Sequence, residues 1–130
     1  MSQSIFEILQ QVTESIPGCA FTSIVDASTG MSLASVPGPQ QTEGSPEAAD
    51  AYHSDLYRLV SRALDALESH QSLRGLVLHS EKFTFISQPL PDSTYMWHVV
   101  TVSATTVGFT QAMMRKFQPG VLEMVGPLMM

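Results

Sequence analysis

The stretch Tyr95-Met-Trp-His-Val-Val-Thr-Val102 decides the fold, because it is rich in β-branched and aromatic residues and is apolar on both faces. A strand of this kind belongs in the middle of a sheet that carries helices on both sides. Two more strand-like runs, residues 73–80 and 83–87, precede it and are joined to each other and to it by short turns. The second half of the chain therefore predicts three consecutive antiparallel strands.

The first half of the chain predicts a helix followed by a hairpin. The helix covers residues 4–15, begins with the capping box Ser4-x-x-Glu7 and stops at Pro17-Gly18. Residues 20–26 and 31–36 are β-rich and are joined by a turn that ends in Gly30, a residue able to take the positive φ of a hairpin turn. Residues 37–45 are rich in Pro, Gly and polar residues, which predicts a mobile surface loop.

Two further helices complete the pattern. Ser45-Pro46 is a good helix start and predicts a long helix over residues 46–69. The last helix is predicted over residues 107–118, where Pro119-Gly120 kinks or ends it, and residues 119–130 form a tail that could add a helical turn or two. The order α-β-β-α-β-β-β-α predicts a single domain over residues 1–130, of the α/β (α+β) class: a five-stranded antiparallel sheet with helices on both faces.

The charge and apolar content of the sequence indicate which kinds of molecule this protein binds. The 130 residues hold 12 Asp and Glu against 6 Lys and Arg, a formal net charge of −6, which repels phosphate backbones and makes nucleic acid an unexpected partner. Because the sequence lacks both a basic signal-peptide start and a long apolar run, we expect a cytoplasmic protein without membrane insertion. Only 14% of the residues are charged, against about a quarter in an average protein, which indicates that another molecule covers part of the surface.

The long helix is apolar around half of its circumference, an arc of about 180° at 100° per residue. The apolar half holds Ala49, Tyr52, His53, Leu56, Tyr57, Leu59, Val60, Ala63, Leu64, Ala66 and Leu67, and the polar half holds Glu47, Asp50, Ser54, Asp55, Arg58, Ser61, Arg62, Asp65 and Glu68. One sheet hides an arc nearer to about 100°, so we expect the edge formed by Tyr57, Val60 and Leu64 to need a second partner. Coverage by residues 37–45 or by the tail is the alternative.

Three features together carry a family resemblance. They are the hairpin sequence Val25-Asp26-x3-Gly30-Met-Ser-Leu-Ala-Ser35, the long second helix, and Thr106-Val-Gly108 at the start of the last helix. On these features the sequence resembles the roadblock family of small regulatory proteins, which includes dynein light chains and bacterial partners of Ras-like GTPases. The resemblance extends over about residues 5–117, and Pro119 departs from the uninterrupted last helix that it implies.

The resemblance implies the strand order 2-1-5-4-3 and a homodimer. In that dimer the long helices lie side by side and the third strands pair across a two-fold axis. The implied dimer fits the apolar arc of the long helix, which independently requires a second partner. In the implied strand order residues 73–80 form an edge strand, and no proline blocks it. The expected dimer-interface residues are Tyr57, Val60, Leu64, Leu67, Arg74, Leu76 and Leu78. Leu64→Glu is accordingly expected to weaken self-association more than folding.

The leading functional hypothesis is a homodimeric regulator, not an enzyme, that binds a Ras-like small GTPase and stimulates GTP hydrolysis or acts as a scaffold. Arg58 and Arg62 are exposed candidate partner-binding residues, but a solvated helix face is the default interpretation. The alternatives are a light-chain or scaffold subunit of a motor or membrane-associated complex, and a small-molecule sensor or enzyme on a profilin-like or PAS-like sandwich. Phosphate-binding loops and hydrolase motifs are lacking, and no cofactor is expected.

Isolated polar residues have structural interpretations that we favour over chemical ones. His98, on the predicted central strand, could be a buried base, but a hydrogen-bonded core histidine is favoured. Cys19 is interpreted as a small buried hydrophobic residue and not as a reactive thiol. Asp26 is expected to cap the turn before Gly30. The four histidines lack the spacing of metal ligands.

Overall fold

A computed structural model describes residues 4–40, 44, 46–67 and 74–129, and its elements follow the predicted order. The elements are α1 (Ile5–Ser15), β1 (Cys19–Asp26), β2 (Ser32–Pro37), α2 (Pro46–Leu67), β3 (Leu76–His79), β4 (Phe83–Pro89), β5 (Tyr95–Val102), α3 (Val107–Val125) and a 3₁₀ helix (Gly126–Met129). Three predicted segments extend outside the described residues: the loop 37–45, the end of the helix 46–69 and the start of the strand 73–80.

The sheet has five antiparallel strands in the order β2-β1-β5-β4-β3. This order confirms the expectation 2-1-5-4-3. β5 lies in the centre, and its six inner residues, from Met96 to Thr101, are all buried, as predicted from its two apolar faces. β3 is shorter than the predicted strand and forms one edge, while β2 forms the other and includes Pro37, which the sequence pattern places in the loop.

One face of the sheet carries a large apolar core beneath α1 and α3. Leu9 of α1, Trp97 of β5 and Met114 of α3 are each completely buried in it. The indole N–H of Trp97 donates to Thr22 Oγ1 at 2.8 Å, so the single polar atom of this large side chain is satisfied inside the core. This face holds most of the apolar packing of the domain.

The predicted boundaries of α1 hold. Ser4 is its N-cap and its hydroxyl accepts the Glu7 N–H at 3.1 Å, which is the side-chain half of the capping box. The helix ends at Ser15, and Gly18 follows with φ +80°, a conformation that favours glycine. The chain then enters β1 directly.

α3 corrects the prediction for the C-terminal tail. The helix does not end or break at Pro119-Gly120 but continues to Val125, and the 3₁₀ helix follows. Burial of Val121 and Val125, both 0% exposed, offsets the hydrogen bond that Pro119 cannot donate. A Cβ at position 120 would collide with the side chain of Ile8, so glycine there admits the close approach of α1. The pair that predicted a kink or an end lies inside the helix, where α3 crosses α1, and the tail adds the further helical turns that the sequence allowed.

Candidate functional site

The first turns of α2 place polar side chains against the sheet. Asp50, His53 and Ser54 are 1%, 5% and 0% exposed, although the helix pattern places Asp50 and Ser54 in the solvated half. That placement is wrong. The spacing 50, 53 and 54 puts the three side chains on one side of the helix, and this is the signal that the sequence interpretation missed.

The sheet supplies matching polar groups from two neighbouring strands. Ser87 of β4 and His98 of β5 are register partners, so their side chains lie next to each other beneath α2. His98 Nδ1 lies 3.0 Å from Asp50 Oδ1, and Ser87 Oγ lies 2.7 Å from His53 Nε2. The two imidazole rings stack with their centroids 4.3 Å apart. We call Asp50, His53, Ser54, Ser87 and His98 the polar layer.

The polar layer fits a structural role for His98. Its hydrogen bond to Asp50 confirms the prediction of a hydrogen-bonded core histidine. Burial, with the neighbouring His98 as a second cause, lowers the pKa of His53 to about 4, so its imidazole is neutral at neutral pH. Asp50 Oδ2, Ser54 Oγ and His98 Nε2 are buried without a hydrogen-bond partner among the described residues. The layer therefore attaches α2 less favourably than a fully satisfied or fully apolar contact would.

The opposite side of α2 exposes apolar side chains. Tyr52, Leu59 and Leu67 are 75%, 58% and 81% exposed. We call Tyr52, Leu56, Leu59, Ala63 and Ala66 the outer stripe; these residues follow one another at alternating steps of four and three. That spacing is typical of the seam by which one helix packs lengthwise on another. The outer stripe therefore has the spacing of a helix-packing seam, and all of its residues except the half-buried Leu56 are exposed.

The predicted surplus edge is partly covered within its own domain. Tyr57, Val60 and Leu64 are half-buried, because the polar layer turns that edge toward the sheet. Of the other expected interface residues, Leu67 and Arg74 are exposed, whereas Leu76 and Leu78 on β3 are half-buried. The exposed surplus of α2 is the outer stripe. The contribution of Tyr57, Val60 and Leu64 to a dimer interface stays a prediction.

The two candidate arginines differ. Arg58 donates to the backbone carbonyl of Ala27 in the β1–β2 turn and pairs with Asp55, so it ties α2 to the hairpin. The expectation that Arg58 belongs to a solvated face is therefore only partly correct. Arg62 is exposed and forms no ion pair with any described residue. Arg62 is the more available of the two.

The β1–β2 turn confirms the predicted role of Asp26. Its Oδ1 accepts hydrogen bonds from the backbone N–H and the hydroxyl of Ser28, at 2.9 and 2.6 Å, and these bonds lower the pKa of the Asp26 carboxyl. Gly30 has φ +78°, as a hairpin turn requires, and a Cβ added there would come within 3.5 Å of Ala51 Cα in α2. The turn and α2 are thus held together by Arg58 and by this close approach.

Two open cavities lie in the described part of the chain. One, of about 300 Å³, lies at the start of β3 beside Arg74, Gln88 and Gln111. The other, of about 400 Å³, lies at the N-terminus of α3 between Pro17 and Phe109. The polar layer opens into neither as a set.

Cys19 and the histidines show no sign of reactive or metal-binding chemistry where the chain is described. Cys19 is fully buried, and burial raises the pKa of its thiol to about 12, as suits a small hydrophobic residue. Across residues 4–40, 44, 46–67 and 74–129, no group of three His, Cys, Asp or Glu side chains is placed to hold a metal ion. None of the helices in that part of the chain is long and apolar enough to cross a bilayer.

Comparison with solved structures shows which fold this arrangement represents. An MglB in a tetrameric arrangement superposes with a TM-score of 0.80 at 11% identity, covering 98% of this chain and 94% of that one. The gliding protein MglB from Thermus thermophilus gives 0.79 at 11% identity, over 98% and 95%. A Roadblock/LC7 domain from Streptomyces avermitilis gives 0.74 at 13% identity, over 97% and 98%. No family model matches the sequence, and no curated protein matches it.

Proposed function

We propose that this chain, which has the roadblock fold, is a homodimeric regulator or scaffold that binds a Ras-like small GTPase and is not itself an enzyme. The observation that carries the proposal is the outer stripe, an apolar helix face left uncovered by its own domain. The similarity to MglB and Roadblock/LC7 structures supports the same class of protein. A cytoplasmic location follows from this role and stays part of the proposal.

The outer stripe is suited to meet a second copy of itself in reverse. Leu59 lies at its centre, with Tyr52 and Ala66 seven residues to either side. A two-fold axis at Leu59 would set the large Tyr52 against the partner's Ala66, so that bulky and small side chains alternate across the contact. Full burial of a large apolar side chain contributes about 1.5–3 kcal/mol. Burial of several such side chains from each copy therefore offsets part of the entropy cost of association.

The edge strand β3 supports the same dimer. It pairs with β4 on one side only, and no proline interrupts Leu76–His79. Leu76 and Leu78 stand opposite Ser87 and Phe85, on the face of the sheet that carries α2. A second β3 pairing across the two-fold axis would satisfy the free backbone groups and extend the sheet. Arg74, just before the strand, would then lie beside this junction.

Light scattering tests the dimer. We expect a mass near twice 14.2 kDa for the parent protein and a mass near 14.2 kDa for Leu59→Glu, with unchanged thermal unfolding of the monomer. Leu64→Glu is the matched control: because Leu64 is half-buried on the sheet side, it should lower folding stability, in contrast to the expectation from sequence. A monomeric parent, or a Leu59→Glu variant that remains dimeric, would contradict the proposed interface.

Phosphate release from purified Ras-like GTPases of the source organism tests the regulatory role. Stimulated release that needs the dimer identifies a GTPase activator, and a stable complex with unchanged release identifies a scaffold. Arg62→Ala separates two ways of activation: loss of stimulation with retained binding indicates that this arginine acts on the nucleotide, and retained stimulation indicates that the dimer positions the GTPase's own residues. Failure to bind any of these GTPases would contradict the proposal.

A further inference from the structure

We infer that the polar layer is a pH-sensitive latch: acidification releases α2 from the sheet while α1, the sheet and α3 remain folded. The inference does not depend on the dimer, since every contact in the latch lies within one chain. It assigns a regulatory role to buried groups that the proposed function leaves unused.

His53 is the group whose protonation would open the latch. β5 presents His98 to its ring in a stack with 4.3 Å between centroids, and β4 presents Phe85 edge-on at 5.7 Å together with the hydroxyl of Ser87. From α2 itself, Asp50 precedes His53 by about one helical turn; its Oδ1 is engaged with His98, and its buried Oδ2 has no hydrogen-bond partner among the described residues. Among the described residues no carboxylate is hydrogen-bonded to His53, so a proton on this ring would be a buried charge without a direct counter-ion.

The direction of the effect follows from linkage. Burial lowers the pKa of His53 from its usual 6.5 to about 4, so a released helix, in which the ring is solvated, binds the proton more tightly. As the pH falls below 6.5, the equilibrium moves toward release by up to about tenfold per pH unit, and the effect saturates near pH 4. Above pH 6.5 the ring is neutral in both states, and the latch is closed.

The position of the apolar core explains why α2 would detach from the sheet while α1 and α3 stay in place. Leu9, Trp97 and Met114 belong to the core beneath α1 and α3, which requires no contribution from α2. In the described part of the chain, the fully buried apolar cluster on the side of α2 is small and consists of Ala20, Phe21 and Val100, and the apolar residues Tyr57, Val60 and Leu64 of α2 are only half-buried. Local opening uses the part of a protein with the least apolar burial, and here that part is α2.

Hydrogen–deuterium exchange of the full chain, corrected for intrinsic exchange rates, tests the latch. We expect protection of residues 46–67 to fall by about tenfold or more between about pH 7 and pH 5, while protection of α1 and α3 stays constant. His53→Gln and His53→Phe both remove the titrating ring, the second while keeping an aromatic ring in the stack, and both should abolish this pH response. His79→Gln is the control, because His79 is exposed on β3 and should leave the response unchanged.

Three results would overturn the inference: a pH response that persists in both His53 variants, equal loss of protection in α1, α2 and α3, or constant protection of α2 over this range. The same measurement on Leu59→Glu separates the latch from the dimer. If the dimer is wrong but the latch is right, the parent and Leu59→Glu respond equally. If the latch is wrong but the dimer is right, light scattering still gives the mass of a dimer for the parent protein.

Discussion

The two faces of the sheet hold their helices by different means. Beneath α1 and α3 the contact is apolar and includes fully buried Leu9, Trp97 and Met114. Beneath α2 it is a set of hydrogen bonds and stacked rings centred on His53 and His98. Apolar contacts tolerate changes of pH and depend on volume, whereas the polar contacts depend on protonation and on complete pairing. One domain thus combines a permanent layer with a conditional one.

The largest expected effect comes from the apolar side. Leu9→Ala should lower the free energy of unfolding by about 2–5 kcal/mol, because it removes a fully buried side chain and leaves a cavity in the core. Urea denaturation followed by Trp97 fluorescence measures the loss. Leu59→Ala is the matched control on α2, where the side chain is 58% exposed, and its effect on a monomeric sample should stay within about 0.5 kcal/mol. Similar losses in both variants would contradict the difference between the faces.

The Asp50 and His98 pair should show an intermediate and non-additive effect. Asp50→Leu or His98→Leu alone leaves a buried polar group unpaired and should cost about 1–3 kcal/mol. The double variant should cost less than the sum of the two, with a coupling of about 0.5–3 kcal/mol, because both polar partners leave together. Urea denaturation of the four proteins at neutral pH measures the cycle. Additive losses would show that the two side chains do not act as a pair.

The smallest effect is expected at the two arginines. Arg58→Ala should lower stability by about 1 kcal/mol, since it removes the hydrogen bond that ties α2 to Ala27 of the turn. Arg62→Ala should change stability by less than about 0.5 kcal/mol, because Arg62 is exposed. Thermal unfolding of the two variants side by side gives the comparison. If Arg62→Ala lowered the stability more than Arg58→Ala does, the hydrogen bond between α2 and the turn would not explain the stability contribution of these arginines.

Much of the fold follows from local pattern, because each signal concerns neighbouring residues. The two-sided apolar strand Tyr95–Val102, the Ser4 cap and the Gly30 turn all formed as predicted. The rotation of α2 did not follow. Its periodicity treats Asp50 and Ser54 as solvent-facing, and only the three-dimensional meeting with the polar groups of β4 and β5 makes their burial favourable. A helix with a wide apolar arc and a polar face can pack on a sheet through the apolar face or through the polar face. The side chains that the sheet presents determine which face is buried.

The C-terminal helix shows the same limit. Proline and glycine in sequence predict a break, but the statistics behind that prediction hold for helices without strong tertiary support. Here Val121 and Val125 are packed into the core on the far side of Pro119, so the helix continues. Tertiary burial overrode local preference at this point, as the hydrogen-bonded partners did at α2.

The contact between Gly120 and Ile8 has a consequence for how these two positions change during evolution. An added carbon at position 120 would meet the terminal methyl of Ile8, so alanine there needs only that methyl to move, whereas a larger residue needs a shorter side chain at position 8. Among descendants of this gene we expect paired exchange, with a bulkier residue at 120 accompanied by alanine or glycine at 8. Such a swap would preserve the helix crossing while reversing which helix supplies the gap.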